Sequence, residues 1–175
     1  MVRRDIRRCL LCSGIQCGES FTGVPPYSSF PILSLNSTLR PFLTSRSYRV
    51  NDFYEFCFKK HEWRVVPPTG QVPPPRDRHV SVVFGDSFYV FGGFDGVTRV
   101  NDFYEYNFVR ESWAPVAVGA GSGPPPSPRH SHGAVIYGHS MFCFGGYDGS
   151  YRSDFHAFSF ATNTWSQVLT RRMEG

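Results

Sequence analysis

At 175 residues the chain is the size of one ordinary domain, and 17% aromatic against 18% charged residues weighs against a helical bundle and for an aromatic-rich β architecture. The formal charge of +4 resides in residues 1–46, which hold six Arg against two acidic residues, while residues 47–175 balance twelve Lys/Arg with twelve Asp/Glu. The larger part therefore has no basic surplus for a phosphate backbone, and no apolar run approaches the roughly 20 residues of a membrane span. Neither nucleic acid nor membrane is expected as a partner.

Residues 1–46 open with Arg3, Arg4, Arg7 and Arg8 and continue with Cys, Ser, Pro and isolated hydrophobics. No sustained strand or helix period appears, so this segment is expected to be a disordered or non-kelch leader, or a gene-prediction artefact; an organelle presequence is the alternative. Cys9, Cys12 and Cys17 hint at zinc, but a structural zinc takes four ligands and no fourth stands nearby. Cys57 and Cys143 fall inside apolar runs and read as reduced core thiols, which suits a cytoplasmic setting, with the nucleus also open. Asn36-Ser37-Thr38 fits a glycosylation acceptor, read as chance without a signal peptide.

Residues 47–175 are expected to be all strand and turn. Residues 48–66 hold two apolar runs, Phe53-Tyr54-Glu55-Phe56-Cys57-Phe58 and Trp63-Arg64-Val65-Val66, joined by a turn at His61-Glu62. The Pro-rich stretch from Pro67 to Pro75 must be a loop. Residues 76–116 then carry four runs: His79 to Phe84, Ser87 to Phe91, Asp102 to Phe108, and Ser112 to Val116. Gly85-Asp86 is a hairpin signal, and Gly92-Gly93 closes the second run. Residues 129–168 repeat that order with His132 to Tyr137, Ser140 to Phe144, Asp154 to Phe160, and Thr164 to Val168.

The repetition is the dominant signal. Arg49-Val50-Asn51-Asp52-Phe53-Tyr54-Glu55 returns unchanged at 99–105, and more loosely at Arg152 to Phe158. Trp63, Trp113 and Trp165 keep step, as do Gly92-Gly93 and Gly145-Gly146. Four short strands per unit make an antiparallel meander whose faces both need cover, and radial stacking of such sheets supplies it. The first copy has only its second half.

The double Gly after an apolar strand, the Asn-Asp or Ser-Asp opening of the third strand, its aromatic (Phe56, Tyr106, Phe158) and the Trp of the fourth together resemble the kelch repeat. The linking Pro-Pro-x-Arg-x-x-His is similar to the subclass of the leucine-zipper-like transcription regulator, Rab9 effector and host cell factor. The resemblance implies an incomplete kelch β-propeller of about two and a half four-stranded antiparallel blades: a half blade at 48–66 and blades at 76–116 and 129–168. Gly92, Gly93, Gly145 and Gly146 are then sharp strand exits, and Trp63, Trp113 and Trp165 pack between sheets. His79 and His132, at one phase of the repeat, are expected to hydrogen-bond between blades. A ring needs about four to eight blades. The missing ones would come from a longer chain or from self-association, unless the chain is a faulty gene product joined at Tyr48.

No nucleophile–base set, metal-ligand set or phosphate-cradling loop occurs, so no catalytic residue, metal or cofactor is expected. The resemblance instead places function on loops at one end of the ring. Carried onto this chain, the partner-binding positions are Asp95, Thr98, Arg99, Asp148, Ser150, Tyr151 and Arg152, with Arg78 and Ser131. The reading is a non-enzymatic module, or scaffold, that binds a protein partner. The alternatives are a non-functional fragment and a propeller enzyme with an axial metal at His79 and His132.

Overall fold

The computed structural model describes residues 9–13, 49–58 and 60–170, and of 9–13 the backbone alone. All of these lie in one compact unit formed by residues 1–15 and 49–175; a second unit, 16–48, falls outside the described residues, and with it most of the expectation for residues 1–46.

The described residues form eleven strands and no helix. β1 (Cys9–Ser13), β2 (Phe53–Cys57) and β3 (Glu62–Val65) make the first sheet. β4 (Val80–Phe84), β5 (Ser87–Phe94), β6 (Arg99–Asn107) and β7 (Ser112–Pro115) make the second. β8 (Gly133–Tyr137), β9 (Ser140–Phe144), β10 (Phe155–Ser159) and β11 (Thr164–Gln167) make the third. Every pairing is antiparallel between chain neighbours, as a meander requires.

Each hairpin is set by its own turn residues. Gly85 and Gly138 sit at φ 59, the left-handed region that a two-residue hairpin turn demands and glycine supplies without strain. His61, Glu111 and Asn163 hold the same phase of the repeat and all take positive φ. Asn107 steadies one of these turns by accepting the N–H groups of Val109 and Arg110. The same cross-strand bond then recurs three times at 2.8 Å, from Val66 N–H to Phe53 O, Val116 N–H to Phe103 O, and Val168 N–H to Phe155 O.

Three expectations change. First, Cys9–Ser13 is a strand: Cys9 lies opposite Cys57 and Ser13 opposite Phe53, the register that Ser87 and Phe91 keep against Asn107 and Phe103. A five-residue apolar run shows no period of its own, and the open edge of β2 decided its pairing. Second, Gly92-Gly93 does not end the strand. β5 runs on to Phe94 through a bulge between Phe91 and Gly93. An added Cβ at Gly92 would sit 2.8 Å from His132 Cε1, and one at Gly93 2.8 Å from Asp77 O, so both glycines mark close approaches. Third, Trp113 and Trp165 are buried between sheets, but Trp63 is exposed.

Two aromatic clusters join the sheets. Phe53 and Val66 of the first sheet pack on Phe88, Val90, Tyr106 and Trp113 of the second. Phe91 and Phe103 of the second pack on Met141, Cys143, Phe158 and Trp165 of the third. Trp113 and Trp165 thus pack back onto the sheet before their own. For Trp63 the only ring neighbour among the described residues is Phe56, on its own sheet.

Candidate protein-binding loop face

The β5–β6 and β9–β10 loops, and the segments leading into β4 and β8, meet at one end of the sheets. Two buried Arg brackets hold this end in place. Arg76 grips the Asp102 carboxylate with both terminal nitrogens, at 2.5 and 2.9 Å, and donates to Gly92 O at 3.0 Å and Pro74 O at 3.1 Å. Arg129 repeats the set on Asp154, at 2.6 and 2.8 Å, with Gly145 O at 2.9 Å and Ser127 O at 3.0 Å. A planar fork with all three nitrogens donating can be buried where a lysine could not. Arg129 accordingly holds the Asp154 carboxyl well below the usual carboxylate range. These four residues were not singled out from sequence as a set; the Arg in each Pro-rich link and the Asp in each third strand were the available signal.

Adjacent units are joined across this end by cation–aromatic stacks. The Arg49 guanidinium lies 4.7 Å from the centre of the Phe94 ring and pairs with Asp77 at 3.0 Å. Fifty residues on, Arg99 lies 4.8 Å from the centre of the Tyr147 ring. His130 packs against Tyr147 at 5.5 Å, and Tyr147 against Tyr151 at 5.3 Å. Burial, then the charges of Arg78 and Arg99, push the His130 ring below its ordinary value. Of this group only Arg99 and Tyr151 were anticipated; the common phase of Arg49 and Arg99, and of Phe94 and Tyr147, carried the missing signal.

The nine anticipated positions divide in two. Asp95 is occupied within its own loop, accepting the Val97 and Thr98 N–H groups at 2.8 and 2.7 Å, and those bonds hold its carboxyl below the usual range. Thr98 is exposed, and its hydroxyl donates to Arg99 O. Asp148 accepts from the Ser127 hydroxyl at 2.7 Å and Arg152 Nε at 2.6 Å, with the Ser150 N–H at 3.2 Å; these bonds lower its carboxyl to about 2. Arg152, at the phase of Arg49 and Arg99, thus turns back onto its own loop. Arg78 and Ser131 both take positive φ, and the Ser131 N–H donates to Arg78 O at 2.9 Å, bringing two units together. Tyr151 stands clear, 92% exposed, with Ser150 and Arg78 also exposed.

His79 and His132 open toward the same end. His132 is buried edge-on against Phe91 of the preceding sheet at 5.5 Å, so it packs between units. Burial drives its ring down to about 4, helped by Arg129. Among the described residues no group of three or more His, Cys, Asp or Glu is placed to hold a metal ion, and no helix is long and apolar enough to cross a membrane.

A family model, the KLHDC2/KLHL20/DRC7 Kelch-repeats domain, matches residues 43–174. The chain belongs to the kelch-repeat family. Among kelch relatives, the leucine-zipper-like transcriptional regulator 1 of Homo sapiens is 38% identical over 184 residues, covering 99% of this chain and 21% of that protein. Its Drosophila melanogaster homologue is 35% identical over 125 residues, covering 68% of this chain and 13% of that protein. Host cell factor 2 of Homo sapiens is 33% identical over 141 residues, covering 69% and 18%. The chain therefore spans about a fifth or less of these kelch proteins.

Proposed function

We propose that the chain is a non-enzymatic protein-interaction module, an arc of kelch blades whose loop face takes a short segment of a partner protein. The observation that carries this reading is the run Arg99–Tyr147–Tyr151, a guanidinium stacked on one Tyr whose ring supports a second, solvent-facing Tyr. Rigid aromatic side chains with polar tips, beside Arg, are the composition on which binding energy concentrates at protein interfaces. Arg78, Ser131, Ser150 and Arg152 would form the polar rim, while Asp95 and Asp148 would shape the loops from within. Protein is the proposed class of partner, to the exclusion of nucleic acid and membrane, and the cytoplasm or nucleus the proposed setting. Further blades would complete the ring.

Photo-crosslinking from a single unnatural side chain tests the reading in cells. A crosslinker at Tyr151 is expected to give discrete protein adducts, lost when Arg78→Ala is added. The same group at Val109, on the turn at the other end of the strands, is expected to give none. Equal adducts from both ends would sink the assignment.

A further inference from the structure

Asp-Gly occurs at one phase of the repeat in both complete units, as Asp95-Gly96 in the β5–β6 loop and Asp148-Gly149 in the β9–β10 loop. In this dipeptide the glycine amide nitrogen can reach the aspartate side-chain carbon, because glycine has no Cβ to obstruct the approach. Both glycines take positive φ, 109 and 125, so the two backbones are alike. The carboxyls are held in opposite ways. Asp95 Oδ1 accepts the Val97 and Thr98 N–H groups at 2.8 and 2.7 Å, while its Oδ2 has no hydrogen-bond partner among the described residues. Asp148 Oδ2 is the engaged oxygen, accepting from the Ser127 hydroxyl at 2.7 Å and Arg152 Nε at 2.6 Å, and its Oδ1 receives the Ser150 N–H at 3.2 Å.

We propose that Asp95-Gly96 is a site of spontaneous isoaspartate formation, promoted by its own loop, whereas the equivalent loop protects Asp148-Gly149. The Gly96 nitrogen bonds to Asp95 Cγ, and Oδ2 leaves as water, carrying the amide proton and the carboxyl proton; a five-membered succinimide remains. Charge developing on Oδ1 during the attack falls between the Val97 and Thr98 N–H groups, which already stand at the distances of an oxyanion hole. A water then adds to the Asp95 α-carbonyl carbon and breaks its bond to the Gly96 nitrogen, so that the chain runs on through Cγ. At Asp148 the oxygen that must leave is the one anchored as an anion. The Ser127 hydroxyl, then Arg152, lowers that carboxyl to about 2. The Asp95 carboxyl is also lowered, by its bonds from Thr98 and Val97, so the neutral acid is scarce and the reaction is slow.

The product has one more methylene in its backbone, a free α-carboxylate, and no side-chain acceptor for the Val97 and Thr98 N–H groups. Thr98 leads directly into Arg99, whose guanidinium lies 4.8 Å from the centre of the Tyr147 ring, so the change reaches the loop face. The freed α-carboxylate is the group that a carboxyl methyltransferase using S-adenosylmethionine would esterify, and a repair enzyme of that class is the implied partner. The site is independent of what the loop face binds.

Ageing the folded chain for weeks at body temperature and neutral pH tests it, with isoaspartate located by mass spectrometry of its peptides under electron-transfer fragmentation. Asp95 is expected to convert at least about tenfold faster than Asp148. In guanidinium chloride, where both loops are lost, the two rates are expected to fall within about twofold of each other. Arg152→Ala, which frees Asp148 Oδ2 of its cation, is expected to raise conversion at Asp148 several-fold and leave Asp95 unchanged. Asp95→Glu, which would have to close a six-membered ring, is expected to abolish methyl transfer from S-adenosylmethionine to the aged β5–β6 loop peptide. Urea melts matching the unsubstituted chain verify that each variant is folded. Equal rates in the folded chain, faster conversion at Asp148, or a tenfold ratio that persists in guanidinium chloride would each overturn the proposal.

Discussion

Trp165 and Trp63 hold the same phase of the repeat, follow the same kind of turn and pair with the same kind of aromatic across the strand. Trp165 is 2% exposed and Trp63 45%. The difference owes nothing to local sequence. Trp165 rests on Phe91, Phe103 and Phe158, two of which belong to the preceding sheet, whereas Trp63 touches Phe56 of its own. A kelch blade therefore does not bury its own aromatics; its neighbour does. Stability should accumulate at junctions, with open ends contributing little, as in other stacked-repeat proteins.

The sharpest test truncates the two Trp residues. Trp165→Ala is expected to cost about 3–5 kcal/mol, the range for a fully buried aromatic, and Trp63→Ala less than about 1 kcal/mol. Urea unfolding followed by circular dichroism measures both, and equal losses would erase the distinction between closed junction and open end. Next in size is the buried bracket. Arg129→Met takes the guanidinium fork from the Asp154 carboxylate, leaving it to His156, removes the donor to the Gly145 carbonyl, and is expected to cost about 2–3 kcal/mol. Arg110→Met, removing an exposed cation 3.7 Å from Glu105, is expected to cost less than about 1 kcal/mol in the same assay.

Acid provides a third test of the closed junction. His132 is held neutral in the fold, its ring lowered to about 4 by burial first and Arg129 second. The unfolded chain takes up that proton first, so the contribution is fully present above the ordinary value near 6.5 and is lost as pH falls from there toward 4. The loss is on the order of 2–3 kcal/mol, and His132→Gln should flatten the slope of stability against pH across that window. The carboxylates lowered in the fold, Asp95, Asp148 and Asp154, act in the same direction but only below the ordinary carboxylate value near 4. The smallest effect separates two thiols. Cys143 is buried at the second junction, and burial pushes its thiol up to about 12. Peptide mapping after brief iodoacetamide treatment should find it alkylated at least about tenfold more slowly than half-buried Cys57.

How much was legible from sequence follows from where each feature is encoded. Strand order, hairpin turns and the phase of the aromatics were readable because Gly85-Asp86, Gly138 and the paired Gly residues act locally. The Arg brackets were not, because Arg76 and Asp102 stand 26 residues apart and only the meander brings them together. The loop face was half legible. Its positions followed from the repeat, but Asp95, Asp148 and Arg152 turned out to be engaged within their own loops, and Phe94, His130 and Tyr147 were overlooked. β1 lay beyond any local signal, since a short apolar run takes whatever edge is offered.

Sequence alone determined that this protein is a series of kelch blades and which residues stand in register from one to the next. A period near 50 carried by Gly, Trp and Asp is a statement about backbone turns and side-chain volume that needs no neighbour. Only the tertiary structure decided which copies of those residues are covered. Burial belongs to a pair of facing sheets, and three chemically equivalent faces received two partners among the described residues.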